Sequence, residues 1–169
     1  MSEKDMKELI QVFQRLQKEI EELERKNETD DEAKDPIYLL SEEEYVRYHD
    51  KIPKINWLWW LKDTSDTRNS HACCVDPTDV VTEDYKQCYK YGVCPVINLA
   101  NCKFGTYLRG YHGDLIFGGM LWIKLDTNLY IAEVPIGFME FDCDSEDYKY
   151  SMVREWLLDW YEDRRRMMV

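Results

Sequence analysis

The chain has 169 residues, 44% hydrophobic and 14% aromatic, which is enough for one domain burying roughly 70% of its unfolded surface and which excludes disordered and collagen-like proteins. Thirty-four acidic residues against 22 basic ones give a formal charge of −12, so contact with a phosphate backbone is opposed and DNA and RNA are not expected direct ligands.

The acidic excess is uneven. Residues 1–35 hold 12 acids and 7 bases, 36–125 hold 11 and 10, and 126–169 hold 11 and 5. The longest apolar run, Ile55 to Leu61, is interrupted by Asn56 and is far shorter than the ~20 residues of a bilayer span. The start, Ser2-Glu3-Lys4-Asp5, lacks the apolar centre of a signal peptide. No membrane contact and a cytoplasmic location are therefore expected, and in that compartment the six cysteines (73, 74, 88, 94, 102 and 143) read as free buried thiols.

Met6, Leu9, Phe13, Leu16, Ile20 and Leu23 are spaced alternately by three and four residues, the seam of a coiled coil. Ser2 and Asp5 can cap its start. This predicts an amphipathic helix over residues 1–26 and an acidic linker over 27–35, with the seam serving either to pack on the protein's own domain or to associate with a second chain. In a parallel pair Glu19 would face Glu24 of the other chain, which favours an antiparallel arrangement or a different partner.

Ser41-Glu42-Glu43-Glu44 is a second capping box, opening a short helix to about His49. Stretches rich in aromatic and β-branched residues follow at Trp57 to Leu61, Ala72 to Val75, Val93 to Leu99, Leu115 to Leu125 and Leu129 to Val134, and these predict strands. The last two, joined by Asp126-Thr127-Asn128, form a predicted hairpin. Met152, Val153, Trp156, Leu157, Trp160 and Tyr161 recur at helical spacing before Arg164, Arg165 and Arg166, predicting a closing helix over about 148–165 with its cations at the negative end of the dipole.

Several of these segments resemble an uncharacterised bacterial and phage domain family of the C-type-lectin-like fold. The similarity is carried by Leu39-Leu40-Ser41-Glu42-Glu43-Glu44, Trp59-Trp60-Leu61-Lys62, Gly92-Val93-Cys94-Pro95-Val96-Ile97-Asn98-Leu99, Phe117-Gly118-Gly119-Met120-Leu121-Trp122-Ile123-Lys124-Leu125-Asp126 and Ser151-Met152-Val153-Arg154-Glu155-Trp156-Leu157. It spans about residues 37–161. The resemblance implies an α+β, C-type-lectin-like domain over 36–169. Its halves, 36–100 and 114–169, stand in the reverse of the family's usual order, as in a circular permutation joined near residues 101–113. Cys94 replaces the family's strand arginine, and Lys62-Asp63 replace its Arg-Ser, so a family site built on those arginines is not carried over.

The wider superfamily spans lectins, phage receptor-binding proteins, binders diversified by retroelements and the formylglycine-generating oxidase, so fold alone does not choose a function. In the diversified binders the variable residues lie between the Trp-Trp and Gly-Val-x-Pro motifs. Here that interval contains Asp63, Thr64, Ser65, Asp66, Thr67, Arg68, Asn69 and His71, followed by Tyr85, Tyr89 and Tyr91. Every residue from Asp63 to Asp76 belongs to the set encoded by codons ending in C. Tyrosine with small polar residues is also the composition of evolved paratopes, although a solvated loop has the same look.

Neither the histidines (49, 71 and 112) nor the cysteine intervals match a metal-ligand or nucleophile pattern, and Asp76-Pro77-Thr78-Asp79 lacks the oxygen array of a calcium loop. No catalytic residue, metal or cofactor is expected. Glu140, Asp142, Asp144, Glu146 and Asp147 put five carboxylates just before the last helix, either complementing its dipole or forming an anionic ridge for a basic protein surface. The expected function is a non-enzymatic protein-binding module of phage or mobile-element origin in a bacterial cell. Its candidate partner is a basic nucleic-acid-binding protein such as a defence nuclease, as for an anti-CRISPR inhibitor, with homo-oligomerisation through the first helix. A lectin or adhesin head, a retroelement-diversified ligand-binding head and a formylglycine-type redox enzyme remain the alternatives.

Overall fold

The computed structural model describes the chain except residues 1, 33, 66, 88, 103–107, 110–112, 143–146 and 168–169, and the side chains of 25–32 and 108–109. The chain divides into two compact units, Met1–Lys34 and Asp35–Val169.

The first unit is a single helix, α1 (Glu3–Glu32). The Ser2 hydroxyl accepts from the Asp5 N–H (3.2 Å) and the Asp5 carboxylate accepts from the Ser2 N–H (2.9 Å), the reciprocal cap read from the sequence. The helix continues through 27–32, most of the predicted linker. Asn27 to Asp35 contains neither glycine nor proline, and without a breaker the helix has no reason to stop at Asn27.

The second unit is α+β. Its elements are β1 (Ile37–Tyr38), α2 (Glu42–Tyr48), β2 (Trp59–Thr64), β3 (His71–Val75), β4 (Val81–Tyr85), β5 (Tyr91–Gly92), β6 (Val96–Asn98), β7 (Leu108–Arg109), β8 (Leu115–Phe117), β9 (Met120–Asp126), β10 (Leu129–Ala132), β11 (Phe138–Met139) and α3 (Met152–Met167). One sheet has six strands in the order β1-β6-β10-β9-β8-β7, and the other has five in the order β11-β5-β2-β3-β4. All pairings are antiparallel except β2 with β5.

Both faces of the central strands are buried. Trp60, Ala72, Cys74, Ile97, Tyr130 and Ala132 join one apolar cluster with Val153, Leu157 and Tyr161 of α3, while Trp59, Leu61, Cys73, Val75, Val96, Leu129 and Ile131 join a second with Tyr45 of α2. Strands covered on two sides read as continuous apolar runs rather than alternating ones, which is why β2, β3 and β10 stand out in the sequence. Phe117, Trp122 and Trp160 fill the first cluster with ring centroids 6.1 to 6.3 Å apart.

Leu115 to Leu125, predicted as one strand, is a hairpin of β8 and β9. Gly118 (φ 59°) and Gly119 (φ 74°) take the two left-handed positions that a two-residue type I′ loop demands. α3 begins at Met152 rather than at 148, because Tyr148–Tyr150 form a separate 3-10 turn. Ser151 ends that turn and caps the helix, its hydroxyl accepting from the Arg154 N–H (3.2 Å). The Ser41–Glu44 capping box of α2 is formed reciprocally, at 3.1 and 2.9 Å.

Asp35 and Arg154 make a two-pronged ion pair, Nε to Oδ2 at 2.7 Å and Nη2 to Oδ1 at 2.9 Å, with side chains 8% and 19% exposed. Arg154 Nη1 also donates to the Lys149 carbonyl (2.8 Å). Truncating one partner of a buried pair leaves the other charge uncompensated. Asp35→Ala or Arg154→Ala is therefore expected to cost about 3–5 kcal/mol in urea unfolding of the full chain. Arg154→Lys should recover only part of this, since an ammonium cannot reproduce the fork.

Candidate functional site

β2 and β3 are joined by a polar loop whose backbone is pinned from within. Ser65 is buried. Its N–H donates to the His71 carbonyl (3.0 Å), its hydroxyl accepts from the N–H of Arg68 (3.2 Å) and Thr67 (3.4 Å), and the His71 N–H closes the turn on the Arg68 carbonyl (3.0 Å). Small hydroxyl residues make such side-chain-to-backbone turns readily. Thr67, Arg68 and Asn69 stand exposed at the tip, while Asp66 lies outside the described residues.

His71 is buried at the start of β3, with Nδ1 2.9 Å from the Ser70 hydroxyl. It pairs across the ladder with Tyr85, whose ring lies 4.2 Å away at 44°. Tyr85 itself is half exposed, and the following Lys86 N–H donates to the Ser70 carbonyl (2.9 Å). The buried imidazole thus links the exposed loop tip, through the Arg68 carbonyl, to the exposed Tyr85 ring on β4.

The other two predicted tyrosines belong to the opposite face of this sheet. Residues directly paired across strands share a face, so Asp84 lies with Ala72 and Tyr85 with His71. Tyr91 lies against Trp60 (4.7 Å), and its hydroxyl donates to Asp84. Burial, then this hydrogen bond, holds its ionisation well above the usual tyrosine range. Tyr89, 45% exposed, stacks on Tyr91 at 5.6 Å and 8°. The strand register that separates Tyr85 from Tyr89 and Tyr91 is not visible in their spacing.

Asp63 and Thr64 end β2 half-buried. The Asp63 carboxylate accepts from the Glu42 N–H at the start of α2, so this acid is tied to the beginning of a helix.

The acidic segment divides likewise. Glu140 is half-buried, Asp147 is exposed, and Asp142 is only 2% exposed. The Asp142 carboxylate accepts from the Met152 N–H at the first turn of α3 (3.3 Å), where a negative charge complements the dipole. Asp144 and Glu146 lie outside the described residues. Asp142 is therefore removed from any solvent-facing ridge by its place under α3. Asp142→Ala is expected to lower stability by about 1–3 kcal/mol, the cost of unsatisfied buried groups, measured as the urea midpoint, with binding kinetics of the folded protein unchanged.

Cys74, Cys94 and Cys102 are free thiols, and Cys73, next to Cys74 in sequence, is buried. Burial, then the Asp84 charge, pushes Cys74 up to about 12, and burial pushes Cys94 well above the ordinary thiol range. Both are protonated at neutral pH, so neither supplies the thiolate that nucleophilic or redox chemistry requires. Alkylation at pH 8, read by peptide mass spectrometry, should leave Cys74 and Cys94 unmodified in the native chain and modified in urea. Cys88 and Cys143 lie outside the described residues. Among the described residues no group of three His, Cys, Asp or Glu side chains is placed to hold a metal ion, and no helix is long and apolar enough to cross a membrane.

The described members of the predicted association seam, Met6, Leu9, Phe13, Leu16, Ile20 and Leu23, are exposed along α1. Exposed Trp57 and Phe138 make an edge-to-face pair at 5.7 Å, a contact between residues 81 positions apart that sequence spacing does not reveal. No family model matches the chain, and no curated protein or solved structure matches it significantly.

Proposed function

We propose that the Asp35–Val169 unit is a non-catalytic protein-binding module, of the C-type-lectin-like kind that its motifs resemble, acting in a bacterial cell on behalf of a phage or mobile element. The observation that carries this reading is the exposed Tyr85 ring held on buried His71 beside the pinned loop tip Thr67-Arg68-Asn69. Its orientation is set before a partner arrives, so little side-chain entropy is lost on contact. Tyr89, fixed on Tyr91 at the other face of the same sheet, supplies a second ordered aromatic.

The partner favoured is basic. Residues 63–85 carry six acids (Asp63, Asp66, Asp76, Asp79, Glu83 and Asp84) and one base, Arg68, and opposite charge raises the rate of encounter. A nucleic-acid-binding protein, such as a defence nuclease, presents such a surface. In the acidic segment before α3, Glu140 and Asp147 remain candidate contacts for a basic partner, whereas Asp142 serves the helix.

The triple substitution of Arg68, Tyr85 and Tyr89 by alanine tests the site. The thermal melt should move little, while the affinity for protein captured from bacterial lysate should fall by roughly tenfold or more, as loss of exposed anchor residues does. Association should also slow as salt rises, since exposed charges act over only about 8 Å at physiological ionic strength. Undiminished capture by the triple variant would overturn the assignment of this surface.

A further inference from the structure

Helix α1 presents an apolar face that is wider than the six-residue seam. Ile10 and Val12 flank it, and all eight residues (Met6, Leu9, Ile10, Val12, Phe13, Leu16, Ile20 and Leu23) are between 44% and 64% exposed. We infer that this face is covered by α1 of a second copy of the chain, running antiparallel.

Charge distribution argues for both the occupant and the direction. Residues 3–18 carry four bases (Lys4, Lys7, Arg15 and Lys18) and three acids, whereas residues 19–32 carry two bases and eight acids. A parallel pair lays the two acid-rich halves together and sets Glu19 against Glu24, a like-charge contact across the seam. An antiparallel pair lays each acid-rich half on the other copy's base-bearing half, and it opposes the helix dipoles.

The seam is self-complementary in that direction. With the two-fold axis between residues 14 and 15, Met6 meets Leu23, Leu9 meets Ile20, and Phe13 meets Leu16 of the second copy, so every seam position finds an apolar partner. On one flank Glu3 approaches Glu24 of the second copy. Lys7, already 3.1 Å from Glu3 within its own helix, offsets the charge of that acid from behind it and is within reach of Glu24 of the second copy.

The area is sufficient. At on the order of 80 Å² for each half-exposed apolar side chain, the two faces together remove roughly 1,300 Å² from water, within the about 1,200–2,000 Å² of specific interfaces.

Sedimentation of the full chain, combined with zero-length carbodiimide crosslinking, tests the inference. The mass should be that of two chains. Leu16→Lys, which retains helix propensity but puts a charge at the centre of the seam, should return it to one chain while leaving the melt of the β-sheet unit unchanged. Crosslinked peptides should join Lys7 to Glu24. These residues lie ~25 Å apart along one helix or a parallel pair and adjoin only in the antiparallel pair. A single-chain mass at all concentrations up to ~100 μM, or a dimer that persists in Leu16→Lys, would overturn the association through α1. A dimer lost in Leu16→Lys but lacking the Lys7–Glu24 link would overturn the antiparallel direction.

Discussion

The fork between Arg154 and Asp35 is the constraint around which the β-sheet unit closes. Asp35 is the first residue of that unit, and β1 follows at once to pair with β6. Arg154 lies in the first turn of α3, the helix that carries Val153, Leu157 and Tyr161 into the first apolar cluster. Sequence positions 119 residues apart are thereby joined at two of the three nitrogens of one guanidinium. The Tyr148 hydroxyl adds to the closure by accepting from the Leu39 N–H at 3.1 Å, so the turn before α3 is tied to the strand after Asp35. Because the pair is largely withdrawn from solvent, its geometry matters: hydrogen bonds made in both prongs are what offset the desolvation of the two charges.

How far the fold could be read from the sequence follows from what each signal measures. Ser41 with Glu44, Ser2 with Asp5 and the stripe from Val153 to Tyr161 are local, and short-range spacing fixes them. The continuous apolar strands were legible because burial on both faces leaves no polar alternation to dilute them. Gly118-Gly119 lay inside such a run, and its apolar flanks concealed the turn that its two glycines mark. Short strands such as β1, β5 and β11 have no pattern of their own. Two residues in length, they exist because a neighbour offers a ladder, and that information is tertiary.

The candidate site was legible in composition and not in arrangement. A polar segment between two buried strands announces a loop, and the clustering of tyrosines announces an aromatic surface. Which tyrosines share a face depends on register: Tyr85 opposes His71, Asp84 opposes Ala72, and a shift of one residue would reverse every assignment. Asp63 and Asp142 show the same limit for charges. Each reads as a surface acid, and each is used to satisfy the start of a helix, Asp63 at α2 and Asp142 at α3.

Two-sided burial also limits how this unit can recognise anything. Its central strands have no free face, so contact must come from loops and from the edges of the sheets. Among the described residues β4 is an edge strand, paired with β3 alone, and a bare edge invites another strand to add to it. Here Glu83 and Asp84 lie along that edge, and Asp84 also holds the Tyr91 hydroxyl. Charges on an edge disfavour pairing with a further strand. Backbone addition is thus opposed at the strand that carries Tyr85, and what this edge presents instead is side chains whose positions the fold has already fixed: the phenol on His71 and the loop tip held by Ser65.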